Sequence, residues 1–254
     1  MDLNEQRITM ALAPRAVRYF DSVSSTNDVA TEWMREGALK GAVVVADEQT
    51  AGRGRLGRTW YTPPGVALAT SVILRVKAEH LPQVNMMGAL AVTNLLQALN
   101  LTEVSIKWPN DVLVGGRKIC GILPEAVWNG NNMEGAVLGM GLNVRNNFAG
   151  TPLEEKATSI EAITGKPQDR AALLAVLLFH LDDWLIKLET GDILSTYKAR
   201  MSSLGQPITV TARDGKTISG EAVDVLVDGG LVIKTTNNEH VTVYDGDVTV
   251  SGGS

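Results

Sequence analysis

Apolar residues recur with a helical period between residues 25 and 37. Ser25-Thr26-Asn27-Asp28 has the form of a capping box, in which the Ser25 hydroxyl is expected to accept from the N3 amide. Ala30, Trp33 and Met34 then share one face, and Gly37 supplies the stop. Two short apolar runs, 43–46 and 66–76, read as buried strands, the second set off by the breaker Pro63-Pro64-Gly65. A helix is predicted over 81–99, with the small residues Gly88, Ala89 and Ala91 on its packing face, and a strand over 103–108. The segments 112–114 and 118–123 flank Gly115-Gly116 as a hairpin, and 135–144 is a further strand interrupted by Gly139 and Gly141. Residues 1–18 show no clear period and are expected to form a lead-in or a short edge element.

Strands joined by tight turns as well as by helices imply an α+β chain: a mixed or antiparallel sheet with helices packed on it, and not a doubly wound βαβ series. Asp169 is expected to cap a long helix carrying Leu173, Leu174, Leu177, Leu181, Trp184, Leu185 and Leu188 at helical spacing. A second short helix is expected over 193–201. Beyond residue 204 the period changes to two. Alternating segments at 208–211, 218–223, 231–234 and 240–244 are separated by Asp214-Gly215, Asp228-Gly229-Gly230 and Asn237-Asn238. Such a stretch suits a small β-barrel of SH3-like size. The expected organisation is therefore a domain over 1–203 and a C-terminal barrel domain over 204–254, ending in a flexible tail at 251–254.

Composition removes whole classes of function. The 254 residues include 23 Lys+Arg against 28 Asp+Glu, a net charge of -5, which argues against a general nucleic-acid-binding face. Cys120 is the single cysteine, so neither a disulfide framework nor a thiolate cluster is available. No apolar run approaches ~20 residues and the N-terminus lacks a basic segment leading into an apolar core. The expectation is a cytoplasmic protein with no membrane span.

Against that acidic average, Gly52-Arg53-Gly54-Arg55-Leu56-Gly57-Arg58 packs three glycines and three arginines into seven residues. It spells G-x-G-x-x-G, but the following Thr59-Trp60-Tyr61-Thr62-Pro63 opens no helix, so it is not a dinucleotide site, and no Gly-Lys-[Ser/Thr] makes it a Walker loop. Glycines let backbone amides converge on an anion and guanidinium groups add charge-assisted bonds, so a lid that orders on a phosphate is expected. Lys107-Trp108-Pro109-Asn110-Asp111 reads, taken alone, as a turn in which Pro109 holds Trp108 extended. Lys118 begins an otherwise apolar strand and points either to solvent or into a pocket, where its ammonium could clamp a developing negative charge, while Cys120 reads as a buried small hydrophobe. His80, His180 and His240 share no motif, and no side-chain metal set is predicted.

In this order, Ser24-Ser25-Thr26-Asn27, the stretch from Gln49 to Trp60, Lys107-Trp108-Pro109-Asn110-Asp111, Arg117-Lys118-Ile119-Cys120-Gly121-Ile122-Leu123 and Gly139-Met140-Gly141-Leu142-Asn143-Val144 resemble the biotin–protein ligases. The resemblance implies a class II aminoacyl-tRNA-synthetase-like sheet with a C-terminal SH3-like barrel. It also implies a two-step reaction with biotin, ATP and Mg2+: formation of biotinyl-5′-AMP, then transfer to a lysine of a biotin carboxyl carrier protein domain. Carried over by motif, Ser25, Thr26, Asn27, Gln49, Gly52, Arg53, Arg55, Trp60, Lys118, Gly121 and Gly139 would contact biotin. Arg55, Arg58, Trp60, Asn110, Lys118 and Asn143 would contact the nucleotide, and Lys118, Asp111 and Arg53 would be catalytic. Asp111 would orient or deprotonate the acceptor lysine, whose free pKa is ~10.4. Leu56 stands where many relatives carry a basic or polar residue, and Pro124 stands where an aliphatic residue is commoner, placing its strand at an edge or bulge. The matching part starts near Tyr19, and the lead-in is too short for a helix-turn-helix, so a ligase without DNA binding is expected. A homodimer is compatible with the resemblance. The competing readings are a non-catalytic biotin or adenylate sensor and, lower, a lipoate or octanoate ligase, whose Arg-Arg, Gly-Gly-Gly and His motif is absent.

Overall fold

The structure, a computed structural model, describes residues 3–189 and 192–250; the tail expected at 251–254 lies outside the described residues. Seven strands form one sheet: β1 (Val17–Val23), β2 (Val43–Gln49), β3 (Ala67–Leu74), β4 (Val104–Lys107), β5 (Asp111–Val114), β6 (Arg117–Asn129) and β7 (Asn132–Asn143). Their order is β1-β2-β3-β7-β6-β5-β4, with β1 and β2 parallel and all other neighbours antiparallel. The sheet is thus mixed, as the turn spacing predicts.

Strand alternation sorts the two faces. Leu68, Val72, Leu138, Met140, Leu142, Cys120 and Ile122 point into the main core beneath α3 (Leu81–Ala98) and α5 (Arg170–Ile186). The opposite face holds Ile73, Val137 and Val127 against Ala30 and Met34 of α2 (Thr26–Arg35). Along this second face, register aligns Ser71, Gly139 and Leu123 in one row, and Ala69, Gly141, Gly121 and Asp111 in the next. Those two rows, glycine-rich and left uncovered by α2, form the floor of the site.

Several local expectations change. Residues 1–18 are not an edge element alone: α1 (Glu5–Leu12), capped by the Asn4 side chain, buries Ile8 and Leu12, and β1 follows. The weak local period hid this helix because only Ile8 and Leu12 of it reach the core. Ser25 makes no capping bond to α2; instead Gln49 Oε1 accepts from Thr26 N at 2.9 Å and Thr26 Oγ1 at 3.0 Å. The Trp108–Pro109 peptide is cis and makes the turn between β4 and β5. Pro124 sits within β6 opposite Leu138 of β7, beyond the last β5 pair at Gly121, so its missing N–H faces a free edge as expected.

The Asp169 carboxylate caps α5 by accepting from Ala171 N and Ala172 N. A one-turn helix, α4 (Ile160–Thr164), and α6 (Asp192–Ala199) complete the helices. The C-terminal stretch is a five-stranded antiparallel sheet of β8 (Pro207–Thr211), β9 (Thr217–Val225), β10 (Leu231–Thr235), β11 (His240–Val243) and β12 (Asp247–Val250), in the order β11-β10-β9-β8-β12. The last strand is not among the four that the alternation picks out, because only Asp247–Val250 remains after the Asp245-Gly246 turn. Its core residues Ile208, Val210, Ala222, Leu231 and Val248 are continuous with the main core. Among the described residues no helix is long and apolar enough to cross a membrane.

Candidate active site

A cavity opens over the glycine rows, bounded by the start of α2, the loop 53–60, the β4–β5 turn and residues 246–248 of the C-terminal sheet. At one end lies a polar pocket. Gln49 Oε1 is occupied by Thr26, so Gln49 presents its Nε2 hydrogens, one of them near Thr62 Oγ1 at 3.4 Å. The Asn27 Nδ2 donates to Leu123 O at 3.2 Å and Glu125 Oε2 at 2.7 Å, so both of its hydrogens are engaged and only Oδ1 remains as an acceptor. The Ser71 hydroxyl lies 2.6 Å from that Oδ1 and 2.7 Å from Thr26 Oγ1, with one proton to serve both. Donor and acceptor thus stand side by side in a pocket where Ser25, Thr26 and Asn27 are buried, the complement of a group carrying both N–H and C=O.

The glycines allow close approach. A Cβ on Gly139 would come 2.4 Å from Asn27 Oδ1, and one on Gly141 would come 2.4 Å from Trp60 Cε2. The Trp60 indole lies flat on Gly121 and Gly141, with Lys118 Nζ 5.3 Å from its ring centre. Lys118 Nζ also pairs with Asp111 Oδ1 at 2.6 Å. The turn that carries Asp111 is pinned from beneath: Tyr197 Oη and Asn85 Nδ2 both donate to Pro109 O, at 3.0 and 2.5 Å. Asn110 donates to Ile122 O at 2.7 Å and accepts from Arg55 at 3.3 Å, which continues the β5–β6 contact past the last paired residue.

The loop itself is a small ordered hairpin. Gly54 N donates to Arg58 O, Trp60 N donates to Gly52 O, and a 3-10 turn spans Arg55–Gly57 with Leu56 in the left-handed region at φ 58°. Each loop arginine has a carboxylate partner. Arg53 pairs with Asp28 at 2.6 Å and Glu125 at 3.1 Å, Arg55 with Asp245, and Arg58 with both oxygens of Asp247. Four carboxylates remote in sequence thus pair with the three loop arginines and offset their mutual repulsion. The hydrogen bond to Asp28 raises the Arg53 pKa, whereas burial lowers that of Arg55.

The cavity gathers Ser25, Thr26, Asn27, Gln49, Arg53, Arg55, Arg58, Trp60, Asn110, Asp111, Lys118, Gly121 and Gly139 from the sequence-derived set. Gly52 lies on the outer side of the loop, where a Cβ would strike Trp60 O at 2.4 Å. Asn143 is not brought to the cavity: it is buried, and its Nδ2 donates to Thr158 O at 3.1 Å and Lys118 O at 3.5 Å, which fixes the Lys118 backbone. Cys120 is fully buried, and burial pushes its thiol pKa up. Ser71, Glu125, Asp28, Asp245 and Asp247 are not among the sequence-derived residues. Ser71 carried a signal, being with Thr70 one of two hydroxyls inside an otherwise apolar strand; the carboxylates carried none, because their partners are set by tertiary contact.

Residues 19–143 match the model of the Biotin/lipoate A/B protein ligase family, and residues 203–251 match the Biotin protein ligase C terminal domain. A biotin–[acetyl-CoA-carboxylase] ligase of Paracoccus denitrificans is 35% identical over 226 residues, covering 82% of this chain and 90% of that protein. The chain belongs to the biotin protein ligase family. A second family relative, a bifunctional ligase/repressor of Bacillus subtilis, is 31% identical over 238 residues, which span 91% of this chain and 72% of that protein. The biotin protein ligase of Aquifex aeolicus, solved in complex with biotin and ATP, has a TM-score of 0.78 at 28% identity, covering 92% of this chain and 97% of that one.

Proposed function

We propose that the chain joins biotin to AMP at the expense of ATP and then passes the biotinyl group to a lysine of a biotin carboxyl carrier domain. The observation that carries this reading is one cavity with two unlike ends. Thr26, Asn27, Gln49 and Ser25 form an end complementary to a cyclic urea, and Lys118 with Arg55 forms a cationic end. Biotin has a ureido ring at one end and a carboxylate at the other, and the Paracoccus denitrificans and Aquifex aeolicus relatives carry biotin in their names.

In the first step a carboxylate oxygen attacks the α-phosphorus of MgATP, a P–O bond to the β-phosphate breaks, and pyrophosphate leaves. Both reactants are anions, so Lys118 and Arg55, with Arg58, offset their repulsion and hold them in line. Gly121 and Gly139 keep the floor flat for the ligand, and Trp60 with Arg53 of the loop excludes water. Among the described residues no three His, Cys, Asp or Glu side chains are grouped to hold a metal ion, and the nearby carboxylates are each paired with a cation. Magnesium would enter with ATP, held mainly by its phosphates.

In the second step the acceptor amine attacks the acyl carbon, the bond to AMP breaks, and the amine gives up a proton. Asp111, at the mouth beside Lys118, is placed to receive or orient that amine. Asn143 acts from below by fixing Lys118. The same reading divides the chain near Ser203 into a catalytic unit, 1–203, and a C-terminal unit, 204–254, whose Asp247 reaches the loop. Two measurements test it. ATP–pyrophosphate exchange should depend on biotin and not on lipoate or octanoate, and a carrier domain incubated with the protein, biotin and ATP should gain one biotin in mass. Exchange with neither acid, or an unmodified carrier, would overturn it.

A further inference from the structure

Among the described residues, Glu125 is the carboxylate that touches both the polar pocket and the loop. Its Oε2 accepts from Asn27 Nδ2 at 2.7 Å, and its two oxygens accept from Arg53 at 3.1 and 3.2 Å. It reaches the site because β6 continues past Pro124 with the same alternation that points Gly121 and Leu123 at the floor, in a row with Val137 and Ile73. The Asn27 side chain is confined: it is buried and lies on Gly139, where a Cβ would meet Oδ1 at 2.4 Å and both Cγ and Nδ2 at 3.0 Å. Within that slot the carboxamide has two orientations related by a half-turn. In the observed one Nδ2 faces two acceptors, Leu123 O and Glu125, and Oδ1 faces Ser71. The other would put an oxygen against a carbonyl and a carboxylate at hydrogen-bond distance, which is repulsive in a site of low dielectric.

We propose that Glu125 is a positioning residue for biotin recognition: by fixing the Asn27 carboxamide it makes the pocket present an acceptor to a ureido N–H, and by holding Arg53 it ties the loop to the same carboxylate. The proposal rests on the biotin ligase reading given above. Glu125 touches no substrate; it acts through Asn27 and Arg53. Replacing it by glutamine keeps the shape but supplies an amide that can donate as well as accept, so the hold on the Asn27 orientation falls to Leu123 O alone and the half-turned carboxamide becomes accessible.

The test is steady-state kinetics of ATP–pyrophosphate exchange with Glu125→Gln, using biotin and an N-methylated biotin that lacks one ureido N–H. A charge-assisted bond lost from the pocket should raise the KM for biotin about tenfold. The preference for biotin over the N-methyl analogue should shrink by a similar factor, while the KM for ATP changes far less. A merely structural role would alter kcat and stability and leave the preference alone. A swapped pair guards against misfolding of the single variant. Asn27→Asp alone sets two carboxylates together and should lose biotin binding, and adding Glu125→Gln should restore it, because the glutamine amide donates to the aspartate and the acceptor toward the ligand is kept. Wild-type KM and wild-type preference in Glu125→Gln, or no recovery in the double variant, would overturn the assignment. The wild-type protein in the same assay separates this from the broader reading: no biotin-dependent exchange there refutes the ligase function and this assignment with it, whereas normal exchange with an indifferent Glu125→Gln refutes the role of Glu125 alone.

Discussion

The loop arginines are bound to the C-terminal sheet through Asp245 and Asp247, and removing those two acids gives a measurable consequence. In the double variant Asp245→Asn/Asp247→Asn the pairs to Arg55 and Arg58 lose their charge while the Arg53 pairs to Asp28 and Glu125 remain. The Arg55 and Asp245 side chains are 23% and 44% exposed, and those of Arg58 and Asp247 are 63% and 44% exposed. At such exposure each pair contributes about 0.2–1 kcal/mol, the two-pronged Arg58 contact falling toward the upper end. Together they hold the loop by about 0.5–2 kcal/mol, so the population with the loop released should rise about 2- to 30-fold. Trypsin reads this directly, because Arg53, Arg55 and Arg58 are themselves cleavage sites once the hairpin opens. With protease dilute enough for opening to pre-equilibrate, the initial rate of cutting in the loop tracks the open population. At low ionic strength the variant should be cut faster by that factor. Near 1 M salt, where the Debye length is ~3 Å, the wild type should approach the variant. Equal cutting rates at low salt would refute the view that the C-terminal sheet holds the loop.

Three further outcomes follow from the same geometry. Lys118→Ala should reduce adenylate formation by about 10²–10³-fold in single-turnover assays, as for loss of one preorganised charge-stabilising donor, and full activity would refute the role assigned to the lysine. Gly139→Ala brings a methyl into the Asn27 carboxamide, so calorimetry should show biotin affinity lost while the melting temperature changes little; unchanged affinity would count against the pocket. Arg170, buried at the start of α5, donates to Asp47 at 2.6 Å and to Ala67 O at 3.0 Å, and Arg170→Met leaves Asp47 buried without that partner. Its cost should be about 3–5 kcal/mol, read as a lowered midpoint in thermal unfolding, and a loss below ~1 kcal/mol would show that the Asp47 charge is compensated elsewhere.

Much of the site was legible in local sequence because its chemistry is concentrated in short segments. Gly139 and Gly141 stand where a Cβ would clash and Gly121 where one would be tight, and the sequence displays them as interruptions of apolar strands. Lys118 is conspicuous for a similar reason, a charge at the head of a buried run. Ser25 misled because the capping-box spelling is satisfied locally, while the fold gives Thr26 a partner from β2 instead. Asn143 shares its strand face with Gly139 and Gly141, yet it does not line the cavity because its amide is taken up by Thr158 O and Lys118 O.

The sequence alone determined most of the elements, since a helix or strand declares itself through a period of 3.6 or 2, and it missed α1 and β12, where too few core positions mark the period. It also determined the inventory of reactive groups and the family they resemble. Only the tertiary structure decided which groups face one another. The register of β3, β7 and β6 brings Ser71, Gly139 and Leu123 into one row, and Glu125 then meets both Asn27 and Arg53. The C-terminal sheet carries Asp245 and Asp247 to arginines nearly two hundred positions earlier. Pairings of that range depend on closure of the whole chain, and no local pattern records them.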